Sequence, residues 1–235
     1  MQIMYNSDKK LLDSEASDFF AYHTKKILNK KDLVLWAMPG GRSVSGIFRS
    51  LANRDDIPWE KIHIFMIDER LVPVGDIESN YRLLYENLTD ELLKKGKIST
   101  DNIHPFIFKP GDNDQGSGEY EEELKRFGNF FDIILLSSGE DCHIAGIYPG
   151  HHSVKNKYKY FFTMDDSPKS PKDRMSSSRI LLLKSTAAVL LFYGDSKKNA
   201  FTDFLDSNIN ETRCPAKIVA KINNSLILTD QKNDE

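Results

Sequence analysis

Four compact apolar runs, each followed at once by a polar or glycine-rich turn, place the strongest limit on how this chain folds. The runs are Leu33–Met38, Ile62–Ile67, Phe131–Leu136 and Ala187–Tyr193. Mainly apolar segments of this length are typical of strands that are buried on both faces of a parallel sheet. Segments with helical spacing alternate with them, such as Ser14–Leu28 before the first run and Asn80–Leu93 between the second and the third. This alternation predicts a Rossmann-like α/β fold with a mainly parallel, twisted sheet flanked by helices.

The remaining segments extend this expected topology. We expect a helix that begins after Ser43 or Ser45. Further helices are expected at Asn80–Leu93, Glu119–Phe127 and Lys197–Asp206. Further strands are expected at Tyr158–Met164, Arg179–Lys184, Ile218–Ala220 and Leu226–Leu228. The polar loop Asp165–Ser178 joins two of these strands, which predicts a small antiparallel excursion at one edge of the sheet. Because neither a repeat nor a linker divides the chain, we expect one domain over residues 1–235, with its core at about 14–230.

Charge and composition exclude several classes of function. The net charge of −3 gives no basic field, so we expect no nucleic-acid partner. No apolar stretch approaches the ~20 residues of a membrane-spanning helix, and the amino terminus does not resemble a signal peptide, so we expect a cytoplasmic protein with no membrane partner. Cys142 and Cys214 lack metal-ligand spacing, which predicts two reduced thiols, although a disulfide between them is compatible with the sequence. No metal or cofactor is expected.

The run Ser138-Gly139-Glu140-Asp141-Cys142-His143 is the best candidate for a catalytic turn. It follows a predicted buried strand, and the carboxyl ends of parallel strands are where open α/β sheets bind ligands. A carboxylate two residues away can orient an imidazole and keep the pKa of that imidazole near neutral pH. Surface Glu, Asp and His also occur together in loops by chance, so this spacing alone does not identify a catalytic turn. The residues at the other strand ends are needed to support that interpretation.

The other three strand ends, and one loop, carry groups suited to an anion. Gly40-Gly41-Arg42-Ser43 is a glycine turn that enters a helix, where free N–H groups bind phosphate or carboxylate, although a plain tight turn has the same pattern. Asp68-Glu69-Arg70 places three ionisable residues directly after an apolar strand, where charged groups are costly unless they are paired. They therefore form either a salt bridge within the loop or part of a functional site. Lys197 lies in the first turn of a helix, which disfavours a cation unless an anion is bound there. The basic loop Pro168–Arg174 either closes over an anionic substrate or is a solvated charge run.

Taken in order along the chain, these clusters resemble the family of 6-phosphogluconolactonases and glucosamine-6-phosphate deaminases. The matching set is Gly40-Gly41-Arg42-Ser43, Asp68–Pro73 with Ser79-Asn80-Tyr81, Gly139–His143 with Pro149-Gly150, Arg174, and Gly194 with Lys197. The resemblance covers about Ala16 to Asp230. It implies a deaminase-type fold and a sugar-phosphate substrate. The implied activity is hydrolysis of 6-phospho-D-glucono-1,5-lactone to 6-phospho-D-gluconate in the pentose phosphate pathway, without a metal.

The resemblance also implies roles for individual residues. His143 is expected to activate water for attack on the lactone carbonyl, Asp141 to orient His143, and Arg70 to stabilise the oxyanion or hold the substrate. Asp68 is expected to bind sugar hydroxyls. The expected phosphate ligands are Arg174 and Lys197, with Gly40, Gly41, Arg42 and Ser43 contributing backbone donors.

Two features favour the lactonase branch, and two departures keep alternatives open. Tyr148 stands where deaminases carry a catalytic Glu, and Arg70 stands where they tend to carry Tyr. However, Cys142 replaces the usual Gly, and Ser137-Ser138 replaces the start of a usual Gly-hydrophobic-Gly run. The alternatives are a deaminase-like isomerase, a sugar-phosphate-binding protein that has lost catalysis, and a hydrolase that uses Cys142 as its nucleophile. The sequence does not indicate an oligomeric state.

Overall fold

A seven-stranded parallel sheet is the centre of the fold in residues 1–232, which are those that the computed structural model describes. In spatial order its strands are β1 (Gln2–Tyr5), β10 (Asn224–Thr229), β9 (Ala187–Phe192), β6 (Ile133–Ser137), β2 (Val34–Met38), β3 (Ile62–Met66) and β5 (Ile103–His104). Every neighbouring pair in this sheet is parallel. The expected α/β class is therefore confirmed.

The strand order reverses between β2 and β6. The chain adds β3 and then β5 on one side of β2, and β6 then returns to pair with the other side of β2. The loops that leave β2 and β6 therefore diverge, which opens a crevice at the carboxyl ends of these strands.

Helices cover both faces of the sheet, and each face has its own apolar core. They are α1 (Lys9–Leu28), α2 (Ser45–Ala52), α3 (Asn80–Leu84), a π-helical turn (Tyr85–Thr89) that leads into α4 (Asp90–Lys94), α5 (Ser117–Lys125), α6 (His152–Lys155), α7 (Arg179–Leu183) and α8 (Lys198–Leu205). Short 3-10 segments lie at Arg42–Val44, Trp59–Lys61, Thr100–Asn102, Asp195–Lys197 and Pro215–Lys221. One core contains Phe65 and Phe131, and the other contains Trp36 and Phe48. Within residues 1–232, no helix has the length and apolar character needed to cross a membrane.

A three-stranded antiparallel ribbon extends from the sheet, as expected for the segment around Asp165–Ser178. It consists of β4 (Asp68–Arg70), β8 (Arg174–Ser177) and β7 (Phe161–Met164), in that order. Ile67 joins the ribbon to the sheet, because its N–H donates to Met38 O at 2.9 Å and its carbonyl accepts from Ser177 N at 2.8 Å. The ribbon is thus a direct continuation of β3.

Two predicted strands are wrong. Arg179–Lys184 forms helix α7 because the Ser178 hydroxyl accepts from Leu181 N at 3.1 Å and caps the first turn. Ile218–Ala220 lies in a 3-10 segment that begins at Pro215, a residue whose fixed φ favours a helical start. Both were short apolar runs, for which helix and strand patterns cannot be separated by periodicity.

Asp13, on α1, is a buried carboxyl group whose ionisation opposes folding. Its Oδ1 has no hydrogen-bond partner among the described residues. Burial raises the pKa of Asp13 from 3.8 to about 6, against the charges of Lys9 and Arg49. Between these two pH values the folded state binds more protons than the unfolded state, so the free energy of unfolding falls as the pH rises through this window.

We therefore expect Asp13→Asn to raise the free energy of unfolding at neutral pH. After discounting for partial solvent screening, the gain is on the order of 1 kcal/mol at about pH 7.5 and close to zero at about pH 4. Urea unfolding at both pH values measures it. Asp32→Asn, at an exposed position, is the matched control and should change stability by less than about 0.5 kcal/mol. An equal gain at both pH values would contradict the assignment.

Candidate active site

A cavity of about 680 Å³ lies at the carboxyl ends of β2, β6 and β9, beside the point where the strand order reverses. Nine of the ten predicted site residues line it: Gly40, Gly41, Arg42, Ser43, Asp68, Arg70, His143, Arg174 and Lys197. The tenth, Asp141, is hydrogen-bonded to His143. The strand-end clusters identified in the sequence therefore meet in one place.

His143 and Asp141 form a hydrogen-bonded pair at the cavity wall. Nδ1 of His143 lies 2.5 Å from Oδ1 of Asp141, and the backbone N–H of His143 donates to the same oxygen at 3.3 Å. Burial raises the pKa of Asp141, but the hydrogen bond and the charge of His143 outweigh it and lower the pKa to about 2. Asp141 is therefore ionised near neutral pH. It holds the proton of the neutral imidazole on Nδ1, which leaves the lone pair on Nε2 to accept a proton.

The turn that carries this pair depends on Gly139. Its N–H donates to His143 O at 2.8 Å, and its carbonyl accepts from Cys142 N at 3.2 Å, which closes the turn. A Cβ atom at position 139 would overlap both His143 Nδ1 and Asp141 Oδ1. Glycine therefore allows the imidazole and the carboxylate to pack directly against the backbone of the turn.

The cavity is strongly cationic although the chain as a whole has a net charge of −3. Six basic side chains line it against two carboxylates; the bases are Lys9, Arg42, Arg70, Lys169, Arg174 and Lys197, and the acids are Asp68 and Glu140. Concentrating one sign of charge in a concave site raises the local concentration of ligands of the opposite sign. The cavity is thus suited to an anionic ligand.

Two of these bases face each other across the ribbon. Arg70 on β4 pairs directly with Arg174 on β8, and like charges at opposed positions destabilise a sheet. Both guanidinium groups are nevertheless fixed: Arg70 Nη1 donates to Glu78 O at 2.6 Å, and Arg174 donates to the carbonyls of Pro171 and Ser170 at 3.0 and 3.1 Å. An anion between the two arginines would relieve their repulsion.

Asp68, Glu69 and Arg70 point alternately to the two faces of strand β4, so one face contributes to the cavity and the other to the structure behind it. Asp68 and Arg70 line the cavity, whereas Glu69 is 1% exposed and lies on the other side of the strand. Its carboxylate accepts from the backbone N–H groups of Asn80 and Tyr81, at 2.7 and 2.8 Å, at the start of α3. Burial raises the pKa of Glu69, and these hydrogen bonds act against the increase. Glu69 therefore supports the site structurally.

Comparison with known proteins assigns the chain to a family. The model for glucosamine-6-phosphate isomerases/6-phosphogluconolactonase matches residues 7–228. The chain belongs to this family. It is 33% identical over 235 residues to the 6-phosphogluconolactonase of Borreliella burgdorferi, a match that covers 100% of this chain and 98% of that relative.

Solved structures of the glucosamine-6-phosphate isomerase/6-phosphogluconolactonase family share the fold. The crystal structure of 6-phosphogluconolactonase from Thermotoga maritima matches with a TM-score of 0.81 and 24% identity, over 97% of each chain. A monomeric glucosamine-6-phosphate deaminase matches with a TM-score of 0.82 and 21% identity, over 98% of each chain. The two named activities therefore occur on one architecture, so the fold does not separate them.

Tyr148, the residue that separates the two branches of the family in the sequence, is buried against His143. The two rings are 4.7 Å apart between centroids and inclined by 39°. Burial raises the pKa of Tyr148, so its phenol is neutral near pH 7. Tyr148 therefore presents an aromatic face to the Gly139–His143 turn.

Cys142, the departure from the family pattern, points into the core. The residue has φ 69°, a left-handed conformation that costs a non-glycine residue about 1 kcal/mol. Its Sγ lies 3.1 Å from Ala200 O and 2.7 Å from Cys214 Sγ, and it does not line the cavity. The neighbouring Cys214 sulfur, together with burial, raises the pKa of the Cys142 thiol, which donates to Ala200 O. A buried, neutral thiol outside the cavity does not meet the requirements of a nucleophile.

The second departure, Ser137-Ser138, leaves the cavity wall intact. Ser137 Oγ lies 2.8 Å from Ser43 Oγ, which links the end of β6 to the turn after β2. Ser138 Oγ donates to Gly139 O at 2.9 Å. These hydroxyls therefore brace the two turns where the family usually has a glycine run.

Several cavity residues were not predicted from the sequence. Lys9 comes from α1, and Tyr193 and Ser196 come from the turn after β9. Lys169, noted in the sequence only as part of a basic loop, forms an ion pair with Glu140 at 2.5 Å and so joins the loop before β8 to the catalytic turn. Lys9 has no local pattern that could have identified it, because the packing of a distant helix brings it to the site.

Proposed function

We propose that this protein hydrolyses 6-phospho-D-glucono-1,5-lactone to 6-phospho-D-gluconate in the pentose phosphate pathway. The observation that carries the proposal is the His143–Asp141 pair at the wall of a cationic cavity. A lactone is an activated ester, so its hydrolysis needs an activated water and a stabilised oxyanion, and no covalent nucleophile. The name of the Borreliella burgdorferi relative supports the same activity.

In the proposed reaction, Nε2 of His143 accepts a proton from water as the water oxygen attacks the lactone carbonyl. Asp141 orients the ring and stabilises the imidazolium that forms. Arg70 stabilises the oxyanion or holds the substrate. The tetrahedral intermediate then collapses with cleavage of the bond to the ring oxygen, which receives the proton from His143.

The phosphate is held by basic side chains and backbone donors of the same cavity. We assign it to Arg174 and Lys197, with backbone donors from the turn Gly40-Gly41-Arg42-Ser43, and we assign the sugar hydroxyls to Asp68. Gly41 has φ 99°, which turns the chain into the 3-10 segment Arg42–Val44. Arg174 lies opposite Arg70 in the ribbon, so the two guanidinium groups together favour an anionic substrate.

The direct test measures acid release from freshly prepared lactone by the purified protein, above the rate of spontaneous opening. Hydrolysis above that background is the expected result. Ammonia release from glucosamine 6-phosphate would instead favour the deaminase alternative. Binding of 6-phosphogluconate with no rate above background would favour the non-catalytic sugar-phosphate-binding protein.

We also propose that the chain forms one domain, and that it acts in the cytoplasm. The family match over residues 7–228 supports the first proposal. A phosphorylated sugar is charged and crosses membranes poorly, which is in keeping with the second.

Binding of the phosphorylated product should weaken at alkaline pH through Lys197. Burial lowers the pKa of Lys197, and the charges of Glu140 and Asp141 only partly offset this. As the pH rises, Lys197 therefore loses its proton earlier than an exposed lysine does, and with it the attraction for phosphate. Calorimetry with 6-phosphogluconate, which avoids lactone opening, should show Kd rising at alkaline pH in the wild type.

Lys197→Arg is the matched variant for this experiment, because arginine keeps its proton over the whole range. Its Kd should be much less dependent on pH. Identical pH profiles in the two proteins would exclude Lys197 as the titrating ligand.

A further inference from the structure

His151, His152 and Asp166 form a second cluster of ligating side chains, beside the catalytic turn and outside the cavity lining. We propose that these three residues bind a divalent transition-metal ion, with Zn²⁺ as the best fit. The ion has no part in the hydrolysis proposed above. Its site joins the start of α6 to the loop that leads into β8.

The spacing of the three groups fits one small ion. Nε2 of His151 lies 3.4 Å from Asp166 Oδ2, Nε2 of His152 lies 3.0 Å from Asp166 Oδ1, and one ligand atom from each residue falls within 4.8 Å of the others. Zinc bonds of about 2.0–2.1 Å in a tetrahedron place ligand atoms about 3.3 Å apart. Small side-chain adjustments would therefore bring all three into the coordination shell.

The type of ligand favours a transition metal over the hard cations. Two imidazoles with one carboxylate are a zinc ligand set, which leaves a fourth position for water. Mg²⁺ and Ca²⁺ prefer shells made of oxygen atoms, and a single carboxylate supplies too few of them.

The surroundings of His151 point to a ligand as well. Its Nε2 is shielded from solvent and makes no well-aligned hydrogen bond among the described residues, and it faces Asp166 Oδ2 at 3.4 Å. Its Nδ1 accepts from the backbone N–H of Ser153 at 3.3 Å and lies 3.0 Å from Ser153 Oγ. Binding of an ion at Nε2 requires the ring proton to move to Nδ1, where the Ser153 hydroxyl can accept it in place of the bond from the backbone N–H.

The position of the cluster gives the ion a structural task. Asp166 lies at the start of the loop that carries Lys169 and ends at Arg174, and both of these line the cavity. His151 and His152 lie shortly after the catalytic turn. A bound ion would therefore fasten the loop to α6, in addition to the ion pair between Lys169 and Glu140.

The test uses the full chain, freed of metal with a chelator, and Zn²⁺ as the probe. Titration against a chromophoric chelator should show stoichiometric binding by the wild type. His152→Ala and Asp166→Asn should each weaken the affinity at least tenfold, since each removes a ligand. Both side chains are more than half exposed, so these variants should fold, and circular dichroism checks that they do. Zn²⁺ should raise Tm in the wild type and not in the variants.

Two control variants exclude the other histidines that could bind the probe. His143→Ala removes the imidazole of the catalytic turn, and His63→Ala removes one of the paired rings of His63 and His104. Both should keep the wild-type zinc affinity. The proposal is overturned if the wild type binds no Zn²⁺, if Asp166→Asn and His152→Ala bind as the wild type does, or if a control variant loses the binding. In those cases the cluster is a pair of His–Asp contacts only.

Discussion

His143→Ala is expected to lower kcat/KM for lactone hydrolysis by roughly 10²- to 10⁴-fold, the usual contribution of a positioned general base. The imidazole supplies the lone pair that accepts the water proton, and no other imidazole lines the cavity within residues 1–232. The rate should be measured as acid release over the spontaneous background at several enzyme concentrations. Binding of 6-phosphogluconate should change little, because the phosphate ligands remain.

Two further variants make this result specific. Asp141→Asn keeps the shape of the turn but favours the wrong tautomer of His143, so a large part of the activity should be lost. His63→Gln alters a histidine that does not line the cavity, and it should retain the wild-type rate. Wild-type activity in His143→Ala would show that another group activates the water.

Arg174→Gln is expected to raise KM by roughly 10- to 100-fold with little change in kcat, since a hydrogen bond to a charged group contributes about 1.5–3 kcal/mol. Arg174 is 6% exposed and fixed by the carbonyls of Ser170 and Pro171, so its guanidinium group is already in place before an anion arrives. Initial rates over a wide range of lactone concentration separate the two constants.

The matched control for Arg174→Gln is a change of substrate. Glucono-1,5-lactone without the phosphate should be hydrolysed at similar, low efficiency by the wild type and by Arg174→Gln. Arg174→Lys keeps the positive charge but loses the planar guanidinium group. Its KM for the phosphorylated lactone should lie between those of the wild type and Arg174→Gln. A loss of kcat on both substrates would place Arg174 at the reacting carbonyl and contradict the phosphate assignment.

The residues that line the cavity could be predicted from the sequence better than several short secondary-structure elements could. The turns after β2, β6 and β9 could be identified because parallel strands bring their carboxyl ends to one edge of the sheet. Periodicity could not decide Arg179–Lys184, because a short apolar run fits a helix as well as a strand, and the Ser178 cap decided it. The edge strand Gln2–Tyr5 is mostly exposed and carries no buried pattern, so it was missed.

Residues that reach the cavity from distant segments could not be predicted for a different reason. Lys9 projects from α1. Asn80 belongs to the set that resembles the family, but only the structure shows that its amide donates to Asp68 O at 2.9 Å beside the cavity. Their places depend on tertiary packing and on close approaches such as that of Gly40 to Asn80, where a Cβ atom would overlap the amide. Such contacts have no fixed spacing along the chain. Cys142 shows the same limit, since only the structure reveals that its side chain faces Cys214.

Ile67, the residue shared by the sheet and the ribbon, fixes the position of the ribbon relative to the sheet. His143 is carried by the parallel sheet, whereas Arg70 and Arg174 are carried by the ribbon, and Ile67 is hydrogen-bonded to both Met38 and Ser177. Under the proposed assignments, this joint and the sheet-borne Lys197 together set the distance between the phosphate and the carbonyl under attack. Lactones phosphorylated nearer to the ring would then bind with their carbonyl out of reach of His143.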